Sequence, residues 1–152
     1  MSNKKKAVFI IAKMNFRDEE LFEPRKLLND ANIDVVIASS TTQEAHGMLG
    51  KKIAPDILID DIKVSDYDAI VFIWGNGSTE YYDNPIAHQI VKEAVEQDKI
   101  LAAICLAPVT LAFAGFLKEK RATCFPDAQD LLTKKKAIYT AEKLTVDGKI
   151  IT

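Results

Sequence analysis

Four short apolar runs constrain the fold of this 152-residue chain more than any other feature. They span residues 7–11, 35–38, 69–73 and 100–104. None of them alternates between apolar and polar residues, so both faces of each strand are expected to be buried. Longer amphipathic stretches separate the runs, a pattern typical of βαβ units and a parallel sheet. The sequence therefore predicts an α/β domain whose mostly parallel sheet is covered by helices on both sides.

The helix signals fit this arrangement. Asn84 is a good N-cap and Pro85 suits a first helical position, so a helix is predicted to follow them. A second helix is predicted over residues 18–29, and because Pro24 removes a backbone donor, this helix either begins near Glu20 or bends there.

Two more elements are predicted in the second half of the chain. A third helix over residues 107–114 should end at Gly115, since glycine is a natural C-terminal stop. Residues 144–151 predict a hairpin whose two-residue turn is Asp147-Gly148.

Composition excludes several classes of protein. A formal net charge of −2 gives no electrostatic basis for binding nucleic acid, and the lysine runs 4–6 and 134–136 are interpreted as solvated element ends. No apolar run approaches the roughly 18 residues that cross a bilayer, and the run after the first lysines is too short for a signal sequence. With only two cysteines, a disulfide framework is not expected. We therefore expect one cytoplasmic domain over residues 1–152.

Cys105 lies where chemistry is expected. A buried strand ends at this cysteine, and a helix begins within about three residues, at the sheet edge where ligand crevices form. A helix N-terminus favours thiolate over thiol. The small residues Ala103 and Ala107 leave room for a sharp turn like the nucleophile turn of hydrolases. From the residues alone, a reactive thiol and a cysteine that merely packs are equally good interpretations.

An ordered set of motifs runs almost from end to end of the chain. It comprises the opening strand and residues 18–24 (DEELFEP), 35–39 (VVIAS), 67–71 (YDAIV), 75–77 (GNG), 102–108 (AAICLAP), 122–126 (ATCFP) and 146–148 (VDG). With these motifs the chain resembles the ThiJ/PfpI superfamily, which has a class I glutamine amidotransferase-like fold. The resemblance implies a flavodoxin-like three-layer sandwich, a homodimer or higher homo-oligomer, and no cofactor or metal.

The resemblance also implies site roles. Cys105 would be the nucleophile, and Glu20 would lie beside its sulfur as a protonated carboxylic acid. A carboxyl group next to a thiolate cannot ionise cheaply, so the two groups would share a proton. The backbone N–H groups of Gly75 and Leu106 would form an oxyanion hole. Without the resemblance, residues 18–23 would simply be an acidic helix start.

Several further residues keep open interpretations. Without the resemblance, the Gly75-Asn76-Gly77 motif would be a flexible turn, and Asn76, Phe125 and Pro126 are possible accessory site residues. Cys124 is interpreted as structural, or as a resolving partner for Cys105 if the two lie close together.

The chain departs from the family pattern where peptidase members carry their catalytic partners. Leu106 follows the cysteine where they have histidine, and Thr79, next to Glu80, replaces their acidic residue. A general base is therefore missing at that place. Phe125 occupies a position where some members have a histidine, and the later His-x-Glu pair of the amidotransferases is absent.

The two histidines and the chain end have no predicted catalytic role. His46 is interpreted as a loop residue and His88 as a surface residue. Relatives continue through a Gly-Pro segment and a closing helix, so the family's last helix is expected to be missing from a chain that ends at Thr152.

Three functional hypotheses follow, besides a purely structural domain. The first is a cysteine-dependent enzyme, glyoxalase- or deglycase-like, that acts on small reactive carbonyls or glycated adducts. The second is a redox-sensing stress protein or chaperone with an oxidisable Cys105. The third is an intracellular cysteine peptidase, which Leu106 weakens. A small-molecule carbonyl is the expected partner, with neither nucleic acid nor membrane.

Overall fold

A seven-stranded sheet forms the centre of the computed structural model, which describes residues 3–152. The strands are β1 Lys6–Ile10, β2 Met14–Phe16, β3 Asp34–Ser39, β4 Ala45–Gly47, β5 Lys52–Ile53, β6 Ile57–Leu58, β7 Ala69–Phe72, β8 Ile100–Ala103, β9 Arg121–Ala122, β10 Ile138–Tyr139, β11 Val146–Asp147 and β12 Ile150–Ile151. The helices are α1 Asp18–Asp30, α2 Pro85–Glu96, α3 Pro108–Phe113 and α4 Gln129–Lys134. The predicted domain includes residues 1 and 2, which lie outside the described residues.

The strand order in the main sheet is β11-β12-β8-β7-β1-β3-β6. All neighbouring strands are parallel except β11 and β12. Two small sheets, β2-β4-β5 and β9-β10, flank it. This mostly parallel α/β architecture confirms the predicted fold class.

Both faces of the sheet are buried, as the unbroken apolar runs predict. On one face Ile10 belongs to a core cluster that includes Ile90 of α2 and Leu111 of α3. On the other face Phe9 packs in a cluster with Leu21 of α1. Successive residues of one strand thus enter opposite cores, because side chains alternate across a strand.

The predicted helices form with small differences at their ends. The Asn84 side chain accepts hydrogen bonds from the N–H groups of Ile86 at 2.9 Å and Ala87 at 3.0 Å, which confirms it as the N-cap of α2. Helix α1 begins at Asp18 and runs through Pro24, so a start near Glu20 is wrong.

The last hairpin is shifted by one residue from the prediction. Asp147 pairs with Ile150, so the turn consists of Gly148 and Lys149 rather than Asp147 and Gly148. The Asp147 carboxylate accepts the N–H of Arg121 at 2.8 Å, and Gly148 takes the left-handed conformation at φ 60°. Strand β12 then lies parallel to β8, beside the strand that leads to Cys105.

Within residues 3–152, the longest helix is α1 with 13 residues, and no helix is long and apolar enough to cross a membrane.

Candidate active site

Cys105 lies in a strained turn at the carboxyl end of the central sheet. The turn connects β8 to α3, and Cys105 has a φ of 61°, a left-handed conformation that residues other than glycine rarely adopt. Such a conformation costs roughly 1–3 kcal/mol, and strained residues of this kind are enriched at functional sites. The Cys105 carbonyl accepts the N–H of Phe125 at 2.8 Å, so a segment distant in sequence helps to hold the turn in place. The side chain is half-buried.

Glu20 is brought to the same edge by the junction between α1 and β7. The N–H of Arg17, which precedes α1, donates to the carbonyl of Trp74 at 2.7 Å, just beyond the end of β7. Because β7 is the direct neighbour of β8, this bond fixes the start of α1 near the Cys105 turn. The Oε2 atom of Glu20 is buried and has no hydrogen-bond partner.

Burial raises the pKa of Glu20 to about 7. A hydrogen bond from the Trp74 backbone and the Arg17 guanidinium oppose this increase, and the Glu19 carboxylate adds to it slightly. A carboxyl group poised near neutral pH can both take up and release a proton under ordinary conditions.

Burial also raises the pKa of the Cys105 thiol, to about 11, and the negative charge of Glu20 is the next largest cause. The backbone N–H of Leu106 and the Arg17 guanidinium act in the opposite direction. The prediction of a thiol pKa below its ordinary value is therefore wrong. The backbone N–H just before the six-residue helix α3 does favour the thiolate, but desolvation and the Glu20 carboxylate have the larger effect.

The Glu20 carboxylate is one of the charges that raise the pKa of Cys105. A proton that leaves the sulfur for water creates a second negative charge in a half-buried site. A proton that passes from the sulfur to Glu20 leaves the total charge of the pair unchanged. Transfer of the thiol proton to Glu20 would therefore be less unfavourable than its loss to water.

Gly75 is buried at the end of β7, where a side chain cannot fit. A Cβ atom there would overlap the carbonyl oxygen of Asn15 and the Cα of Phe16. The glycine is therefore required by the close approach of two backbone segments. The residues after it, including Asn76, form a 3₁₀ turn, and the N–H of Ser78 donates to the Gly75 carbonyl at 2.8 Å.

A cavity of about 360 Å³ opens beside Cys105. Phe125 and Pro126 line it, as expected of accessory residues, whereas Asn76 does not. Glu20, Gly75 and Leu106 are not among its lining residues either. The remaining lining residues are Ile104, Thr123, Cys124, Tyr139, Ala141, Glu142, Lys143 and Thr152.

Two parts of this site were not predicted from the sequence. Tyr139, Glu142 and Lys143 come from β10 and the loop after it, and a strand of only two residues gives almost no periodic signal. Arg17 was missed although it directly precedes the acidic run. Its Nη2 lies 2.6 Å from an oxygen of Glu19.

Neither histidine lines the Cys105 cavity. His46 belongs to β4 rather than to a loop, and its Nε2 lies 3.3 Å from a carboxylate oxygen of Glu44. His88 is half-buried on α2, with Nε2 2.6 Å from the Tyr82 carbonyl, so a purely surface position is wrong. The Glu80 carboxylate accepts the N–H of Lys13 at 3.1 Å and does not line the cavity either.

Comparison with known proteins gives a consistent result. The chain is 44% identical over 150 residues to an uncharacterized protein of Methanocaldococcus jannaschii. The aligned region covers 97% of this chain and 73% of that protein. The chain is 24% identical over 152 residues to a glutathione-independent glyoxalase of Caenorhabditis elegans, covering 100% of this chain and 81% of the relative. The crystal structure of a ThiJ/PfpI domain protein from Brachyspira murdochii superposes with a TM-score of 0.94 at 27% identity, covering 98% and 87% of the two chains. Residues 5–152 match the DJ-1/PfpI family, and the chain therefore belongs to that family.

Proposed function

We propose that this protein is a cysteine-dependent enzyme that acts on small reactive carbonyls or on glycated adducts. The observation that carries the proposal is the pairing of Cys105, on a strained turn beside a cavity, with Glu20, whose pKa is about 7. A glyoxalase among the relatives supports this class of reaction.

The first chemical step of the proposed reaction uses both groups of this pair. The sulfur of Cys105 attacks the aldehyde carbon, and a carbon–sulfur bond forms while the carbonyl π electrons move onto oxygen. The thiol proton passes to the Glu20 carboxylate, so the pair never carries two negative charges. The N–H groups of Leu106 and Gly75 would stabilise the oxyanion by hydrogen bonding. The Glu20 carboxylic acid then passes the proton to this oxygen and becomes a carboxylate again, and the product of the step is a hemithioacetal.

A second role for Glu20 completes the reaction with an α-ketoaldehyde. The former aldehyde carbon loses a proton and the neighbouring carbon gains one, through an enediol, which converts the hemithioacetal into a thioester. Water then hydrolyses the thioester, releasing a hydroxy acid and restoring the thiol. A carboxyl group with a pKa of about 7 is suited to both halves of this proton transfer.

Formation of lactate from methylglyoxal tests the proposal. We expect Cys105→Ser to abolish turnover, since the alcohol oxygen is a far weaker nucleophile than sulfur. Glu20→Gln should reduce kcat about 10²- to 10⁴-fold, because general acid–base catalysis typically contributes that much. Glu23→Gln is the matched control, since this exposed residue of the same helix should leave kcat within about twofold of wild type.

Equal lactate formation by wild type and Cys105→Ser would exclude the proposal. Measuring lactate rather than the loss of methylglyoxal is necessary because methylglyoxal also reacts with exposed arginine and lysine side chains.

A further inference from the structure

A backbone hydrogen bond joins the segments that carry the two cysteines, and both cysteines line the same cavity. The N–H of Phe125, the residue after Cys124, donates to the carbonyl of Cys105 at 2.8 Å. Both thiols are free and half-buried, and both line the cavity described above. Standard bond lengths and this hydrogen bond place the two Cα atoms about 5 to 7 Å apart. Disulfide-bonded cysteines have Cα separations in the same range.

Two contacts with other parts of the chain hold the segment that carries Cys124 in place. Strand β9 pairs with β10 through Ala122 and Tyr139. The N–H of Thr123 donates to Oγ1 of Thr152 at 2.9 Å, and this bond connects the segment to the residue after β12. Cys124 is therefore held at a fixed position relative to the turn that carries Cys105.

We propose that Cys105 and Cys124 form a reversible intramolecular disulfide when a hydroperoxide oxidises the protein. The Cys105 sulfur attacks the peroxide, the O–O bond breaks, and an alcohol or water leaves, which gives Cys105 sulfenic acid. The thiol of Cys124 then attacks this sulfur, a sulfur–sulfur bond forms, and water is released. The two thiols supply the two electrons that reduce the peroxide.

The proposed order of these steps places the first oxidation on Cys105. The pKa of both thiols is raised to about 11, and only the Cys105 thiolate is favoured by a backbone N–H, that of Leu106, and by the Arg17 guanidinium. Burial raises the pKa of Cys124, and the charge of Cys105 raises it further. Once Cys105 has become an uncharged sulfenic acid, this repulsion is gone and Cys124 reacts more readily.

The disulfide has a functional consequence. It occupies the sulfur that the proposed carbonyl chemistry needs, so oxidation stops turnover and a dithiol reductant restores it. It also protects Cys105 from further oxidation to sulfinic acid, which dithiols do not reverse. The crosslink itself is measurable whether or not the protein acts on carbonyls.

The proposal is tested by treating reduced protein with one equivalent of hydrogen peroxide, blocking the remaining thiols and measuring intact mass. The expected product has lost both thiols and weighs two hydrogen masses less. Tryptic peptides 100–118 and 122–134 should be linked to each other and separate on addition of dithiothreitol. The species should be monomeric on a denaturing gel without reductant.

Two variants separate the roles of the cysteines. Cys124→Ser should stop at the sulfenic acid, which dimedone labels at Cys105, and excess peroxide should convert it to sulfinic acid. Cys105→Ser should leave Cys124 largely unoxidised on the same timescale. The proposal is overturned if wild type gives the same dimedone adduct in the same yield as Cys124→Ser, or if the only disulfides formed join separate chains.

Discussion

At the scale of single residues, the site depends on groups placed where they are energetically unfavourable. Cys105 holds a left-handed backbone that glycine would adopt without strain. Glu20 has a buried carboxylate oxygen with no hydrogen-bond partner. Both features are energetically unfavourable, and their occurrence at one edge of the sheet favours a role in chemistry.

Because the pKa of Glu20 is raised, the free energy of unfolding is expected to depend on pH. Its pKa is about 7 in the folded protein against 4.5 ordinarily, so the folded state holds this proton more tightly than the unfolded chain. The resulting stabilisation is complete below pH 4.5 and is lost as the pH rises through 7. Glu20→Gln cannot ionise, so we expect it to be more stable than wild type at pH 8 and to lose most of this advantage at pH 5.

Urea unfolding midpoints at the two pH values measure this difference. Glu23→Gln, an exposed change on the same helix, should show an equal offset from wild type at both. A Glu20→Gln offset that does not change with pH would mean that the folded protein leaves the pKa of this carboxyl near its ordinary value.

At the scale of elements, the long buried strands and α2 could be predicted from the sequence, but the short strands could not. Strands β1, β3, β7 and β8 each consist of four to six mostly apolar residues, which gives a clear signal. Strands β9 and β10 have two residues each and are set by pairing partners distant in sequence. The cavity wall that follows β10 was missed for this reason. The thiol pKa was misjudged because the sequence does not show how far the sulfur is buried.

The close contact between Gly75, after β7, and residues 14–17 leads to a second prediction. Gly75→Ala adds a methyl group whose position is fixed by the backbone and which overlaps Asn15 and Phe16. We expect a loss of about 1–3 kcal/mol in the free energy of unfolding, as for other overpacked sites. Methylglyoxal turnover should also fall, because the start of α1, and with it Glu20, must move.

Gly50→Ala provides the comparison for this change. Nothing lies within 4 Å of a Cβ at Gly50, so only its left-handed φ of 94° makes the substitution unfavourable. It should cost about 1 kcal/mol or slightly more in stability and leave turnover unchanged. Full turnover and an unaltered urea midpoint in Gly75→Ala would contradict the account of this contact.

At the scale of the whole molecule, the strand order brings together residues that are distant in sequence. Glu20 follows β2, Gly75 follows β7 and Cys105 follows β8, and β7 and β8 are neighbours whose carboxyl ends share one edge. A parallel sheet places such residues together without any local sequence signal. The motifs that resemble the family indicated these three residues, whereas the apolar pattern alone indicated only the edge.

The most direct measurement is ¹³C NMR of the protein with methylglyoxal labelled at its aldehyde carbon, using Glu20→Gln to slow the later proton transfers. We predict a hemithioacetal carbon resonance that is bound to the protein and absent from Cys105→Ser, with Glu23→Gln behaving like wild type. A protein-bound resonance of the same intensity in Cys105→Ser, or none in any variant, would show that the sulfur at position 105 does not carry the reaction.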